Sequence, residues 1–140
     1  MEQLKLDNQL CFPFYSVSRL IIRRYKPLLD ELGITYPQYL VLLVLWEQDK
    51  QPVNDIAKKL YLQTNTVTPL LQRLEALKIV KRLKSREDER KVLVSLTEKG
   101  LHLQNNAAEI PFKLMEGVEI STDELLALKE QLHRMIDILS

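Results

Sequence analysis

The chain has 140 residues, 46% of them apolar and 28% charged, with a formal net charge of +1 and one cysteine. That length suits one domain and is short for two cores of ordinary size, and the composition is that of a folded chain rather than a disordered one. No long apolar run and no basic-then-apolar leader is present, so neither a membrane span nor a signal peptide is expected, and the single thiol excludes an intrachain disulfide and points to a reducing, cytoplasmic setting.

In chain order, the first element expected is a long helix over about residues 9–32. Phe14, Ile21, Tyr25, Leu28 and Leu32 recur there at helical spacing, and Gly33 offers a C-terminal stop. Pro13 and Pro27 each remove a backbone donor, so a late start or a kink is expected. The stretch "NQLCFPFY" also holds Cys11, and lone cysteines of this kind are most often buried and inert. "TYPQ" (residues 35–38) then fits a capping box, with Thr35 as N-cap, Gln38 three residues on and Pro37 in the first turn. The helix behind it, about residues 36–47, is apolar along "YLVLLVLW" and is expected in the core, Trp46 included.

Residues 53–77 carry the plainest organisational signal. Ile56, Ala57 and Leu60 mark one face of a short helix, "YLQT" a turn, and Val67, Leu70, Leu71, Leu74 and Leu77 one face of a second helix. This is a helix-turn-helix pattern, although two helices of an ordinary bundle would look similar. The second helix presents Asn65, Thr68, Gln72 and Arg73 on its other side, groups able to bond base edges or phosphates. Pro69 fits best if that helix begins near Thr66, with Asn65 in or before the cap.

The segment that follows reads as a β-hairpin: Ile79–Lys84, a charged loop Ser85–Arg90, and an alternating run ending at Leu96. A hairpin behind a helix-turn-helix makes a winged helix. Residues 78–96 carry 7 basic and 3 acidic side chains, whereas residues 97–140 carry 4 and 8, so a local basic patch is hidden by an acidic tail. Lys84, Arg86 and Arg90 lie in or beside the loop, an electrostatic footprint suited to phosphates. Near the C-terminus "STDE" is a second capping box, followed by a helix striped with Leu125, Leu128, Leu132, Met135, Ile136 and Leu139 that needs a partner. His102 and His133 stand apart from any ligand cluster, so neither a metal nor another cofactor is expected.

These motifs resemble the MarR-type winged-helix regulators. The helix-turn-helix, the Asp88-x-Arg90 wing loop and "SLTEKG" (residues 95–100) follow that family's layout over almost the whole chain. "NQLCFPFYSVSR" and "RYKPLLDELGITYPQYLVLLVLWE" are similar to its organic-hydroperoxide-sensing branch, the OhrR repressors, in the one-cysteine subtype. The resemblance implies a mainly α fold, a single domain over 1–140, with dimerisation helices at 1–34 and 97–140 and a winged helix-turn-helix DNA-binding lobe at 35–96. It implies a homodimer on a pseudo-palindromic double-stranded operator, with Thr64, Asn65, Thr66, Thr68, Gln72, Arg73, Lys84, Arg86, Asp88 and Arg90 on the DNA. It makes Cys11 the peroxide-reactive thiol and Tyr25 and Tyr36 its hydrogen-bonding partners from the other subunit. Gln63, Thr64 and Asn65 stand where close members carry an acidic residue, a serine and a glycine, which bears on base preference.

The function expected is a repressor, not an enzyme, that releases DNA when an organic hydroperoxide oxidises Cys11. An early-helix position and donated tyrosine hydroxyls would both favour a thiolate. With no resolving cysteine, the sulfenic acid would pass to a small cellular thiol or a backbone nitrogen. Two other readings stay open: a MarR-type regulator answering a small phenolic or lipophilic ligand in the dimer cleft, and a thiol peroxidase. A third is a winged-helix interaction module that has lost DNA binding.

Overall fold

The computed structural model describes all 140 residues. Two 3-10 turns (Glu2–Leu4 and Leu6–Asn8) lead into helix α1, Cys11–Asp30. Pro13 is its third residue, where a backbone N–H has no partner inside the helix, so the expected late start does not occur. The helix also continues through Pro27. It stops at Gly33, which adopts φ +71° and lets the amides of Gly33 and Ile34 return to the carbonyls of Asp30 and Leu29 at 3.0 and 3.2 Å.

Helix α2 (Tyr36–Glu47) begins at the expected capping box, where Gln38 Oε1 accepts the Thr35 N–H at 2.9 Å. Apolar on nearly every side, it supplies Val41, Leu42 and Leu45 to the centre of the core. Behind it come β1 (Gln51–Pro52), α3 (Val53–Lys59), α4 (Thr64–Ala76), β2 (Val80–Lys84), β3 (Val92–Leu96) and α5 (Glu98–Ala107). The sheet is antiparallel in the order β1-β3-β2, with Val80 opposite Leu96, Lys84 opposite Val92 and Gln51 opposite Val94. Strand β1 has only two residues and no alternation of its own, so no periodicity in the sequence could reveal it.

Ile56, Val67, Leu71, Leu74, Ile79, Val80 and Val94 join α2 in one buried cluster. Thr97 starts α5 by accepting the Gly100 N–H at 3.1 Å. A Cβ on Gly100 would stand 2.3 Å from the Ile79 carbonyl oxygen, so glycine is what lets α5 pass the start of β2. Residues Met1–Ile110 form one compact unit and Pro111–Ser140 a second. Helix α6 (Ile110–Leu114) straddles that boundary. The second unit is mainly α7 (Thr122–Leu139), entered through the expected box: Ser121 Oγ accepts the Glu124 N–H at 3.2 Å and Glu124 Oε2 accepts the Ser121 N–H at 3.0 Å. No residue of α7 is buried.

Candidate nucleic-acid interface and thiol site

The turn between α3 and α4 places Tyr61 at φ +55° and returns the Leu62 N–H to the Ala57 carbonyl at 3.0 Å. Helix α4 then buries Val67, Leu71 and Leu74 and leaves Thr64, Asn65, Thr66, Gln72 and Arg73 exposed, with Thr68 half-buried. It begins at Thr64 rather than near Thr66, with Gln63 as N-cap and the Gln63 carbonyl accepting the Thr66 and Val67 amides at 3.0 and 3.2 Å. Pro69 therefore lies inside the helix. It deletes one backbone bond, and the buried Val67–Leu71–Leu74 stripe outweighs that loss. The Thr68 hydroxyl donates to the Thr64 carbonyl at 2.9 Å, and Thr64 Oγ1 donates to Asn54 Oδ1 at 2.9 Å, which ties α4 to α3. Asn54 was not singled out in the sequence, because a link across ten residues leaves no local trace.

The wing is held to α4 by an ion pair. Arg82 Nε donates to Glu75 Oε2 at 3.1 Å and the Arg82 N–H to the same oxygen at 3.2 Å, and hydrogen-bonded Arg82 holds the Glu75 carboxyl below its ordinary range. Arg82 is thus engaged in the fold rather than offered to solvent. In the loop, Ser85 Oγ accepts the N–H groups of Glu87 and Asp88, and Asp88 Oδ1 accepts the Arg90 N–H at 3.0 Å. Asp88 shapes the turn that presents Arg90, which gives its carboxylate a place in a hairpin that is basic as a whole. Lys84, Arg86, Arg90 and Lys91 are all exposed, and a shallow groove of about 550 Å³ runs beside them over Lys50, Lys81 and Leu93.

Cys11 is the first residue of α1 and is exposed, not buried as a lone cysteine most often is. Around it Phe12, Phe14, Val17, Leu20 and Ile21 are exposed as well. Tyr25 and Tyr36 meet near the far end of the same helix with ring centroids 4.7 Å apart, and Tyr39 joins them at 5.8 and 6.3 Å. Burial, then the neighbouring phenols Tyr36 and Tyr39, push the Tyr25 hydroxyl up to about 12 from 10.0, and burial raises Tyr36 and Tyr39 too. All three therefore stay neutral at physiological pH and can donate. Fourteen residues of helix separate Cys11 from Tyr25, about 21 Å at 1.5 Å per residue, so one chain does not bring them together. A cleft of about 460 Å³ beside Tyr36 is walled by Ile22, Leu29 and Ile34 and rimmed by Arg19, Arg23 and Lys26. No three His, Cys, Asp or Glu side chains converge as a metal site.

A helix-turn-helix with an exposed polar face, fastened to a basic hairpin, defines a winged-helix transcriptional regulator. The family described as "Transcriptional regulator SarA/Rot" matches residues 23–107. The organic hydroperoxide resistance transcriptional regulator of Bacillus subtilis (strain 168) is 45% identical over 138 residues, 99% of this chain and 94% of that protein. Among solved structures, reduced AbfR of Staphylococcus epidermidis bound to DNA is 40% identical with a TM-score of 0.86, covering 99% of this chain and 97% of that one. Overoxidised AbfR bound to DNA gives 0.80 at the same identity, covering 99% and 98%. The chain belongs to the MarR-type winged-helix regulators, in the branch of the organic hydroperoxide resistance regulators. No helix is long and apolar enough to cross a membrane.

Proposed function

We propose that this protein is a cytoplasmic, homodimeric, DNA-binding repressor that senses organic hydroperoxides through Cys11 and then releases its operator. The observation that carries the reading is the separation within one chain of an exposed thiol at the start of α1 from a neutral, donating tyrosine pair near its end. The two meet only when a second copy brings its tyrosines to Cys11. The exposed apolar residues of α1 and the stripe on α7 supply surface for that pairing, with residues 35–96 as the DNA-binding lobe. Thr64, Asn65, Thr66, Gln72 and Arg73 face the major groove of a pseudo-palindromic duplex, Thr68 stands at its edge, and Lys84, Arg86 and Arg90 lie against phosphates.

The chemistry is a two-electron oxidation without turnover. Cys11 Sγ attacks the outer oxygen of the hydroperoxide, the O–O bond breaks, and the alcohol leaves with the proton while sulfur becomes a sulfenic acid. A small cellular thiol then displaces water to form a mixed disulfide, because the chain has no second cysteine. Either product alters the group the tyrosines hold, and so the spacing of the two recognition helices. In a DNA-shift titration the reduced protein should bind operator and the peroxide-treated protein release it, with mass spectrometry placing the added mass on Cys11. Cys11→Ser should bind and never release. Release by that variant sinks the redox reading in favour of a ligand-binding regulator, and multiple turnovers of peroxide with a reductant would make the protein a peroxidase instead.

A further inference from the structure

The tyrosine cluster and the wing stand at opposite ends of one element. Helix α2 carries Tyr36 and Tyr39 in its first turn. Its twelve residues make a rod of about 18 Å at 1.5 Å per residue. Its other end is fastened by side chains rather than left to fray. Gln51, buried at 3% exposure, donates from Nε2 to the Val44 carbonyl at 3.1 Å and to the Gln48 carbonyl, closing the last turn of the helix. Its own backbone pairs with Val94 of β3. Lys50 takes φ +57°, turning the chain from the helix into β1.

That turn leaves a gap in the ladder, and Asp49 fills it. The Leu96 N–H points to the same edge of β3 as that of Val94, two residues earlier, but β1 is too short to reach it. Asp49 Oδ1 accepts it instead, at 2.8 Å, as well as the Lys50 N–H at 2.8 Å. A second fastening lies four residues on, where Trp46 Nε1 donates to the Gly100 carbonyl at 3.0 Å. The Trp46 ring also meets Tyr39 edge-on at 6.3 Å, so the aromatic cluster runs unbroken from Tyr25 to the start of α5. Both bonds land where the wing strand ends and α5 begins.

We propose that Asp49 is a positioning residue for the switch: through its bond to Leu96 it locks the base of the wing to α2, so that a displacement of Tyr36 and Tyr39 is delivered to the wing. Trp46 is the auxiliary fastening. A rigid helix bonded at both ends moves as a body, whereas a wing released from it would keep its DNA contacts whatever the tyrosines did. This rests on the peroxide-release reading above, and the same titration separates the two. If the wild-type protein does not release operator on treatment, that reading fails. If it does, the variants at Asp49 decide the inference.

The measured quantity is the ratio of operator Kd after and before an organic hydroperoxide, for which allosteric coupling typically gives about 5- to 150-fold. Asp49→Ala should leave the rate of Cys11 oxidation, followed by mass spectrometry, at the wild-type value and lower the ratio at least about threefold relative to the wild-type ratio, on that same scale. Asp49→Asn, which keeps an acceptor oxygen, should retain the wild-type ratio. A wild-type ratio in Asp49→Ala, or an equal loss in Asp49→Asn, overturns the proposal. Should Asp49→Ala fail to fold, amide exchange of Leu96 in the wild-type protein decides: the amide should stay protected in the reduced and the oxidised protein alike, and loss of its protection on oxidation overturns the proposal.

Discussion

Around Val67, Leu71 and Leu74 the chain buries its apolar side chains to zero exposure, and the wing beside them is closed by the Arg82–Glu75 pair and the Asp88 turn. Around Cys11, by contrast, Phe12, Phe14, Val17 and Leu20 lie open at 40 to 60% exposure, and the tyrosines that would serve the thiol sit about 21 Å along the helix. The reading lobe is thus closed within one copy, and the sensing end we propose is not. A lobe that must fit a fixed duplex gains from internal closure. A sensor that must change the distance between two such lobes gains from being assembled across them.

The sharpest way to break that comparison is to weaken the closed half from inside. Leu71→Ala should lower unfolding stability by about 2–5 kcal/mol, because the site is fully buried within the core cluster. Denaturant melts of reduced protein check this, and a loss below about 1 kcal/mol would mean that the lobe's core is not what holds it. A smaller effect is expected at the wing. Arg90→Ala should weaken operator and unrelated duplex alike and flatten the salt dependence by about one unit of slope, read by fluorescence anisotropy across a salt series. An unchanged slope would remove Arg90 from the phosphates while leaving the recognition helix untouched.

The smallest effect belongs to the tyrosine cluster and depends on pH. Tyr25 ionises at about 12 in the fold against 10.0 when unperturbed, so the unfolded chain loses that proton first. The stability the cluster supplies is complete below pH 10, falls as pH rises between 10 and about 12, and is fully lost beyond. Solvent screening of a half-buried phenol keeps the effect modest. Thermal melts at pH 8, 10 and 11 should therefore fall less steeply for Tyr25→Phe than for the wild type. Equal slopes would show that the cluster is wet in solution and no setting for a donated hydrogen bond.

Much of the molecule was legible because its signals are local. Thr35 and Gln38, like Ser121 and Glu124, are three residues apart, and the bonds between them need only the helix they start. The Val67–Leu71–Leu74 stripe and the alternation of β3 announce their faces through period alone. Pro13 and Pro69 misled the same local reasoning, since a proline's penalty is small in a first turn and is outweighed on a helix with a buried face.

The sequence by itself determined the winged helix, the basic hairpin and the exposed polar face of α4, since each follows from spacing within about twenty residues. Only the tertiary structure decided that Arg82 is spent on Glu75, that Asp88 shapes the wing turn, that Tyr39 and Trp46 extend the tyrosine pair, and that Asp49 completes the β3 ladder. The physical reason is sequence separation: the bond from Asp49 to Leu96 spans 47 residues and that from Trp46 to Gly100 spans 54. No local pattern specifies a partner at that distance. It is set by how a buried helix, a two-residue strand and a close-packed glycine come to rest against one another.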